Sequence, residues 1–182
     1  MKMRLFVGIA LDTVVTDALK RLTASLRRAD DGLRWSNPDG WHITLQFLGS
    51  TEQPAYECLL ARLREIHRAP FALHLGLPDV FERAGVFHIS VLPSQQLTAL
   101  ERHVVAATAL CGFRPEDRPY HPHITLARGK GNEGRRGLRV LQQRLHPGRP
   151  MPSFNANEFL LYQSFPTPDG SRYEICERFP LR

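Results

Sequence analysis

One tetrapeptide, His-Ile-Thr-Leu, is spelled twice in this chain, at His42–Leu45 and again at His123–Leu126. Strand geometry makes the repeat restrictive. Successive residues of a β-strand point to opposite faces. His42 and Thr44 therefore share one face while Ile43 and Leu45 turn into a core, and His123 and Thr125 stand in the same way against Ile124 and Leu126. Each copy follows a helical stretch and then a polar loop containing proline, W-S-N-P-D-G-W at 35–41 and F-R-P-E-D-R-P-Y-H-P at 113–122. An internal duplication building two similar lobes accounts for this order. If an approximate two-fold axis relates the lobes, the two His/Thr faces meet across a cleft.

The remaining pattern is consistent with such a fold. Arg4–Ile9 reads as a buried strand, and Asp12 as the N-cap of a helix carrying Val15, Leu19, Leu22 and Leu26 at helical spacing. Leu33–Trp35 is a short strand, Asn37–Gly40 a turn, and His42–Leu48 a strand closed by Gly49. A second helix spans Pro54–Ile66, and Phe71–Leu77 and Val86–Leu92 are strands. Ser94 caps a third helix with Leu97, Leu100, Val104, Ala107 and Leu110 on its apolar stripe, ended by Gly112. After the strand His123–Ala127, the Gly-rich basic segment Gly129–Gly137 is expected to be a mobile loop, with a short helix near Leu138–Leu145. Phe154–Gln163 and Arg172–Phe179 read as a strand pair joined through Pro166–Gly170.

Bulk properties narrow the class. A chain of 182 residues suits one domain, or two small lobes sharing a core. The net charge of +6 makes an anionic partner plausible. Cys58, Cys111 and Cys176 show no metal-ligand spacing and are expected to be free thiols in a reducing compartment. The apolar run after the basic N-terminus ends at Asp12, too early for a signal peptide, and nothing approaches the roughly 20 apolar residues of a membrane span. A cytoplasmic protein is expected.

Two imidazoles and two hydroxyls form a kit for chemistry at phosphorus. Opening a cyclic phosphodiester by in-line attack needs a base on the attacking oxygen and an acid on the leaving oxygen, on opposite sides of the phosphorus. Two histidines, one neutral and one protonated, fill those roles near neutral pH. The Thr44 and Thr125 hydroxyls can donate to the non-bridging oxygens. No metal or cofactor is implied. No third ligand sits at a zinc-site spacing and there is no H-E-x-x-H.

The chain resembles the 2H phosphoesterase superfamily, specifically its RNA 2′,3′-cyclic phosphodiesterase, or 2′-5′ RNA ligase (LigT-like, ThpR), branch. The matching stretches are M-R-L-F-V-G-I-A-L near the start, W-H-I-T-L-Q-F-L-G at 41–49, Y-H-P-H-I-T-L-A-R at 120–128, and L-Y-Q-S-F-P-T-P-D-G-S-R-Y-E with F-P-L near the end. The resemblance spans nearly all of residues 1–182, taken as a single bilobal domain. It implies an α+β fold of two pseudo-two-fold-related lobes of antiparallel sheet, with helices outside and a central cleft carrying both motifs. It also implies hydrolysis of RNA 2′,3′-cyclic phosphate ends to 2′-phosphomonoesters, with ATP-independent 2′-5′ ligation as the reverse-type reaction. His42 would be the proton donor and His123 the proton acceptor; a symmetric site by itself permits either direction.

Around this pair, Arg128 is a candidate phosphate contact, from the resemblance and from its fork of donors. Phe47, Tyr120, Trp35 and Tyr162 are candidates to stack on a nucleobase. His88 and Ser90 mimic an H-x-S on a strand and read as cleft wall or surface. His121 reads as a loop residue that orients its neighbours. The expected partner is an RNA or oligonucleotide with a 2′,3′-cyclic phosphate end, met by a monomer away from any membrane. Alternatives are a small cyclic nucleotide, an ADP-ribose cyclic phosphate or a 2′-5′ oligonucleotide as substrate, and a non-catalytic RNA-binding module.

Overall fold

The first strand, β1 (Met3–Ala10), is apolar almost without interruption and buried along nearly its whole length. Such a run marks a strand covered on both faces. It lies antiparallel between β3 (His42–Thr51) and β9 (Glu158–Thr167). The computed structural model describes residues 2–146, 150–168 and 170–182. Within them β9 also pairs with β10 (Gly170–Pro180), while β7 (His123–Gly129) joins β3 to β6 (Val86–Val91) and β5 (Leu75–Phe81). The path is β10-β9-β1-β3-β7-β6-β5. A short strand, β2 (Leu33–Trp35), pairs with the far end of β7 where β3 has diverged. The result is a curled antiparallel sheet with the two motif strands as central neighbours.

Among the described residues, four helices cover one face: α1 (Thr13–Leu26), α2 (Gln53–Arg64), α3 (Gln95–Ala109) and α4 (Gly131–Gln143). Asp12 caps α1 by accepting from the Val15 N–H at 2.8 Å, and Ser94 caps α3 by accepting from the Leu97 N–H at 3.1 Å. Their stripes, including Leu19, Leu59, Leu63, Leu97, Val104 and Leu138, meet Val7, Ile43, Leu45, Phe87, Ile124 and Leu126 in the main core. The opposite face of the sheet carries a smaller cluster, Phe6, Leu160 and Tyr162, with Tyr173 against it.

Several expectations change. The Gly-rich segment is not a loop: Gly131 to Gln143 is a helix with Leu138 and Leu141 buried. Its glycines serve close packing. A Cβ on Gly134 would lie 2.4 Å from the Gly129 carbonyl carbon, and one on Gly137 would lie 2.0 Å from the Asp31 carbonyl oxygen. The short helix expected near Leu138–Leu145 is the second half of this one. The strand expected over Phe71–Leu77 is split into β4 (Phe71–Leu73), which pairs with β8 (Phe154–Ala156), and β5. β3 runs on through Gly49, at φ 71°, to Thr51. Asp169, within the expected Pro166–Gly170 connection, lies outside the described residues.

The cysteines are not all free thiols. Cys58 of α2 and Cys111, just past α3, form a disulfide, because the packing of the two helices brings their Cα atoms to 5.7 Å. Cys176 is the free one. Among the described residues, no helix is long and apolar enough to cross a membrane.

Candidate active site

The two tetrapeptides meet at one point of the sheet. Ile43 of β3 pairs with Ile124 of β7 in antiparallel register. Counting outward from that pair sets His42 beside Thr125 and Thr44 beside His123, all four on the face away from the helices. His42 and His123 are then diagonal neighbours, which an undistorted ladder holds about 7–8 Å apart. Both isoleucines are fully buried on the helix side. The sequence places the His/Thr faces correctly, and the sheet joins them edge to edge.

Both imidazoles are held in the same way. Nδ1 of His42 lies 2.7 Å from the Gly40 carbonyl oxygen, and Nδ1 of His123 lies 2.7 Å from that of His121. A carbonyl only accepts, so each Nδ1 carries a proton and each neutral ring keeps its lone pair on Nε2. His121 thus contributes its backbone to orienting His123, and its side chain is exposed.

The strands repeat more than their spelling. The burial pattern of β7 is the same as that of the first seven residues of β3. Strict alternation would turn Phe47 and Arg128 away from the histidines. In β1–β3 the register jumps between Val7/Gln46 and Gly8/Thr44, and in β6–β7 between Phe87/Ala127 and His88/Thr125. Leu45 and Leu126 are the extra residues of two equivalent β-bulges. Each bulge sets two consecutive residues on the helix side. Gln46 is buried there, where its Oε1 accepts from the Thr108 hydroxyl of α3 at 2.7 Å, and Ala127 is buried in the corresponding place. Phe47 (56% exposed) and Arg128 then come out on the cleft face, at equivalent places in the two strands.

The surroundings of the two histidines differ. His42 sits among aromatic rings: Phe6 at 4.6 Å, Tyr173 at 5.1 Å edge-on and Tyr162 at 5.8 Å between centroids. Burial pushes its imidazole down to about 4, with the charges of His123 and Arg128 acting the same way against the Gly40 bond. Gly8 makes room here, since a Cβ on it would lie 2.8 Å from the Ile43 oxygen and 3.6 Å from Cδ2 of His42. His123 instead faces Phe81 at 5.0 Å and a second imidazole, His88, at 5.4 Å. Burial lowers His123 too, with Arg128 and His121 adding to the shift and the backbone bond opposing it. His88, only 2% exposed and stacked on Phe81 at 3.8 Å, is pushed down to about 4 by burial and by the neighbouring His123.

The aromatic candidates sort themselves by face. Phe47 is open and reaches Phe6, at 5.9 Å between centroids. Tyr162 is buried in the cleft floor, stacked on Phe6 at 4.8 Å. Trp35 lies on the helix side, edge-on to Phe87, with its Nε1–H donated to Asp31 at 2.8 Å. Tyr120 is not an open stacking surface: its ring packs against the main core and its hydroxyl donates to the Thr44 carbonyl at 3.0 Å. It braces the first motif from the loop before the second. Ser90 donates to the Leu77 carbonyl and stays outside the pair. Phe6, Tyr173, Phe81 and the approach of His88 to His123 were not expected from the sequence. The apolar run Leu5–Ala10 of β1 is the available sign that its cleft face is filled rather than wet. Among the described residues, no three His, Cys, Asp or Glu side chains cluster in a way that could hold a metal ion.

A curled antiparallel sheet presenting two H-x-T strands side by side defines a two-histidine site with two matching hydroxyls. The sequence model of the 2′-5′ RNA ligase superfamily matches residues 15–164, and the chain belongs to that family. It is 30% identical, over the full length of both proteins, to the RNA 2′,3′-cyclic phosphodiesterase of Methanothermobacter thermautotrophicus. It is 38% identical over 100 residues to that of Bacillus subtilis, a match spanning 52% of this chain and 55% of the relative. Among solved structures it is similar to E. coli LigT complexed with 3′-AMP, with TM-score 0.84 and 26% identity over 100% of this chain and 99% of the other.

Proposed function

We propose that this chain hydrolyses the 2′,3′-cyclic phosphate ends of RNA to 2′-phosphomonoesters by two-histidine acid–base catalysis. The observation that carries the reading is the matched pair: two imidazoles on neighbouring strands, each with Nδ1–H tied to the carbonyl two residues back and Nε2 left for the substrate. The names of the relatives agree with it. In this mechanism His123 Nε2 takes a proton from water as its oxygen bonds to phosphorus. The bond from phosphorus to the 3′-oxygen breaks on the opposite side, and His42 Nε2–H protonates that oxygen. The phosphate remains on the 2′-oxygen. Thr44, Thr125 and Arg128 donate to the non-bridging oxygens, whose charge must be held in the transition state.

The direction of proton flow is the one the family resemblance implies. Rings around His42 present π-systems to an imidazolium, while burial lowers both imidazoles. Burial holds His42 near 4, and the charge of an anionic substrate raises both imidazoles. Phe47, exposed at the rim, offers a face to the terminal base. The same site run with a 5′-hydroxyl in place of water would form a 2′-5′ linkage.

The test is product analysis on an oligoribonucleotide ending in a 2′,3′-cyclic phosphate. The expected product carries a 2′-phosphate only. A 3′-phosphate would reverse the leaving group, and a wild type that binds the RNA without turning it over would leave the binding-module alternative.

A further inference from the structure

Two arginines from different strands stand directly opposite each other at the edge of the cleft. β2 pairs with β7 so that Arg34 faces Arg128, with Leu33 opposite Gly129 and Trp35 opposite Ala127. Cross-strand partners share a face of the sheet. Leu33 and Trp35 pack against the main core on the helix side, so the alternation of β2 sends Arg34 to the cleft side with Arg128. Both arginines are exposed, and among the described residues neither forms an ion pair or a side-chain hydrogen bond. The nearest acid in sequence, Asp31, is already engaged: its oxygens accept from the Leu33 N–H, the Trp35 Nε1–H and the Arg28 N–H. Val86, the partner of Arg128 on its other side, is apolar and buried.

Like charges directly opposite in a ladder are destabilising unless something anionic lies between them. Among the described residues, no side chain supplies that anion. Arg128 is the inner member of the pair, close enough to lower the pKa of both catalytic imidazoles. Arg34 lies on β2, which takes over from β3 as the neighbour of β7 past the paired motifs. A reacting phosphate at the histidines uses Arg128 and leaves Arg34 for the next anion along the chain.

We propose that Arg34, beside Arg128, forms a subsite for a second phosphate, the phosphodiester on the 5′ side of the terminal nucleotide, so that the cleft selects an RNA chain over a cyclic mononucleotide. This inference rests on the proposed function for the identity of the chain that enters. Arg34 binds and positions; it takes no part in the proton transfers. Its guanidinium donates to the non-bridging oxygens of that phosphodiester, a charge-assisted contact that its planar fork suits.

The experiment compares kcat/KM for a 2′,3′-cyclic mononucleotide with kcat/KM for a trinucleotide ending in a 2′,3′-cyclic phosphate, in wild type and in Arg34→Gln. The ratio of the two values, the preference for the chain, should fall about tenfold in the variant, through KM. Arg34→Lys should restore part of it. The slope of log KM against log salt for the trinucleotide should lose about one unit. An unchanged ratio, whether both activities fall together or neither moves, overturns the proposal. If the wild type turns over neither substrate, the proposed function fails separately. The subsite is then read from fluorescence anisotropy of a labelled trinucleotide ending in a 3′-phosphate, where Arg34→Gln must weaken binding about tenfold and equal affinity sinks it.

Discussion

Ile43 and Ile124, the second residues of the two His-Ile-Thr-Leu copies, pair with each other across β3 and β7. That one pair sets His42 diagonally across from His123, with a threonine beside each.

Removing either imidazole should stop turnover without unfolding the sheet. His42→Ala and His123→Ala should each lower kcat by about 10²–10⁴, the usual contribution of a positioned acid or base. Because the two act in one step, the double variant should be little worse than either single one. Single-turnover rates with RNA affinity measured alongside give the check; multiplicative losses would mean independent roles.

The pH dependence should lie on the acid side. The proposed mechanism needs one protonated and one neutral histidine, and burial lowers both pKa values from 6.5. A lowered pKa means the protonated form is lost at lower pH, so kcat/KM should peak below pH 6.5. The profile belongs to the pair rather than to either ring. Bound substrate is anionic and raises both values, so kcat itself should peak at higher pH. A kcat/KM maximum at pH 7.5 or above would contradict this assignment.

Stability should follow the same histidines. His42, His88 and His123 all bind protons less readily folded than unfolded. Between pH 6.5 and about 4 the unfolded chain therefore holds more protons, and stability rises with pH through that window. Their contribution is complete above 6.5 and is lost as pH falls toward 4. Thermal melts at pH 7 and pH 5 should show a lower Tm at pH 5, and His88→Phe should reduce that difference.

Tyr120→Phe removes the hydroxyl that donates to the Thr44 carbonyl. A cost of about 1 kcal/mol in stability is expected for one such bond. The freed carbonyl lies in the first motif, so kcat should fall several-fold while KM for a cyclic mononucleotide changes little. A rise in KM alone would instead give Tyr120 a direct part in binding.

The Cys58–Cys111 bridge closes a separation of 53 residues. Cys58→Ser with Cys111→Ser should lower stability by about 2–4 kcal/mol, mainly by freeing the unfolded chain. Activity of the folded variant should persist, since both cysteines lie among the helices on the far side of the sheet. Denaturant titration of wild type and double variant, with activity measured below the transition, is the check.

Much of this molecule is written locally. The period of two along a strand is a property of the backbone, so two His/Thr faces, each backed by Ile and Leu, could be read from seven-residue windows. The caps at Asp12 and Ser94 are equally local, because each bonds to an amide three residues on. The Gly129–Gly137 segment reads as a loop in the sequence yet folds as a helix from Gly131, because glycine carries two meanings. Freedom of the chain and close approach of two backbones look alike until the neighbour is known, and here Gly129, Gly134 and Gly137 touch other backbone.

Local pattern marks His42, Thr44, His123 and Thr125 as two matched pairs on strand faces. How the pairs meet, and what surrounds them, is set by strand pairing across the whole fold. Whether Phe47 and Arg128 join the histidines depends on two bulges, and a bulge exists only relative to the register of the neighbouring strand. Whether one histidine differs from the other depends on β1, β6, β9 and β10, distant in sequence, which line His42 with rings and set His88 against His123. The repeat makes the site symmetric in its residues, and packing makes it unequal in its electrostatics, because desolvation and neighbouring charge are set by contacts that no local window contains.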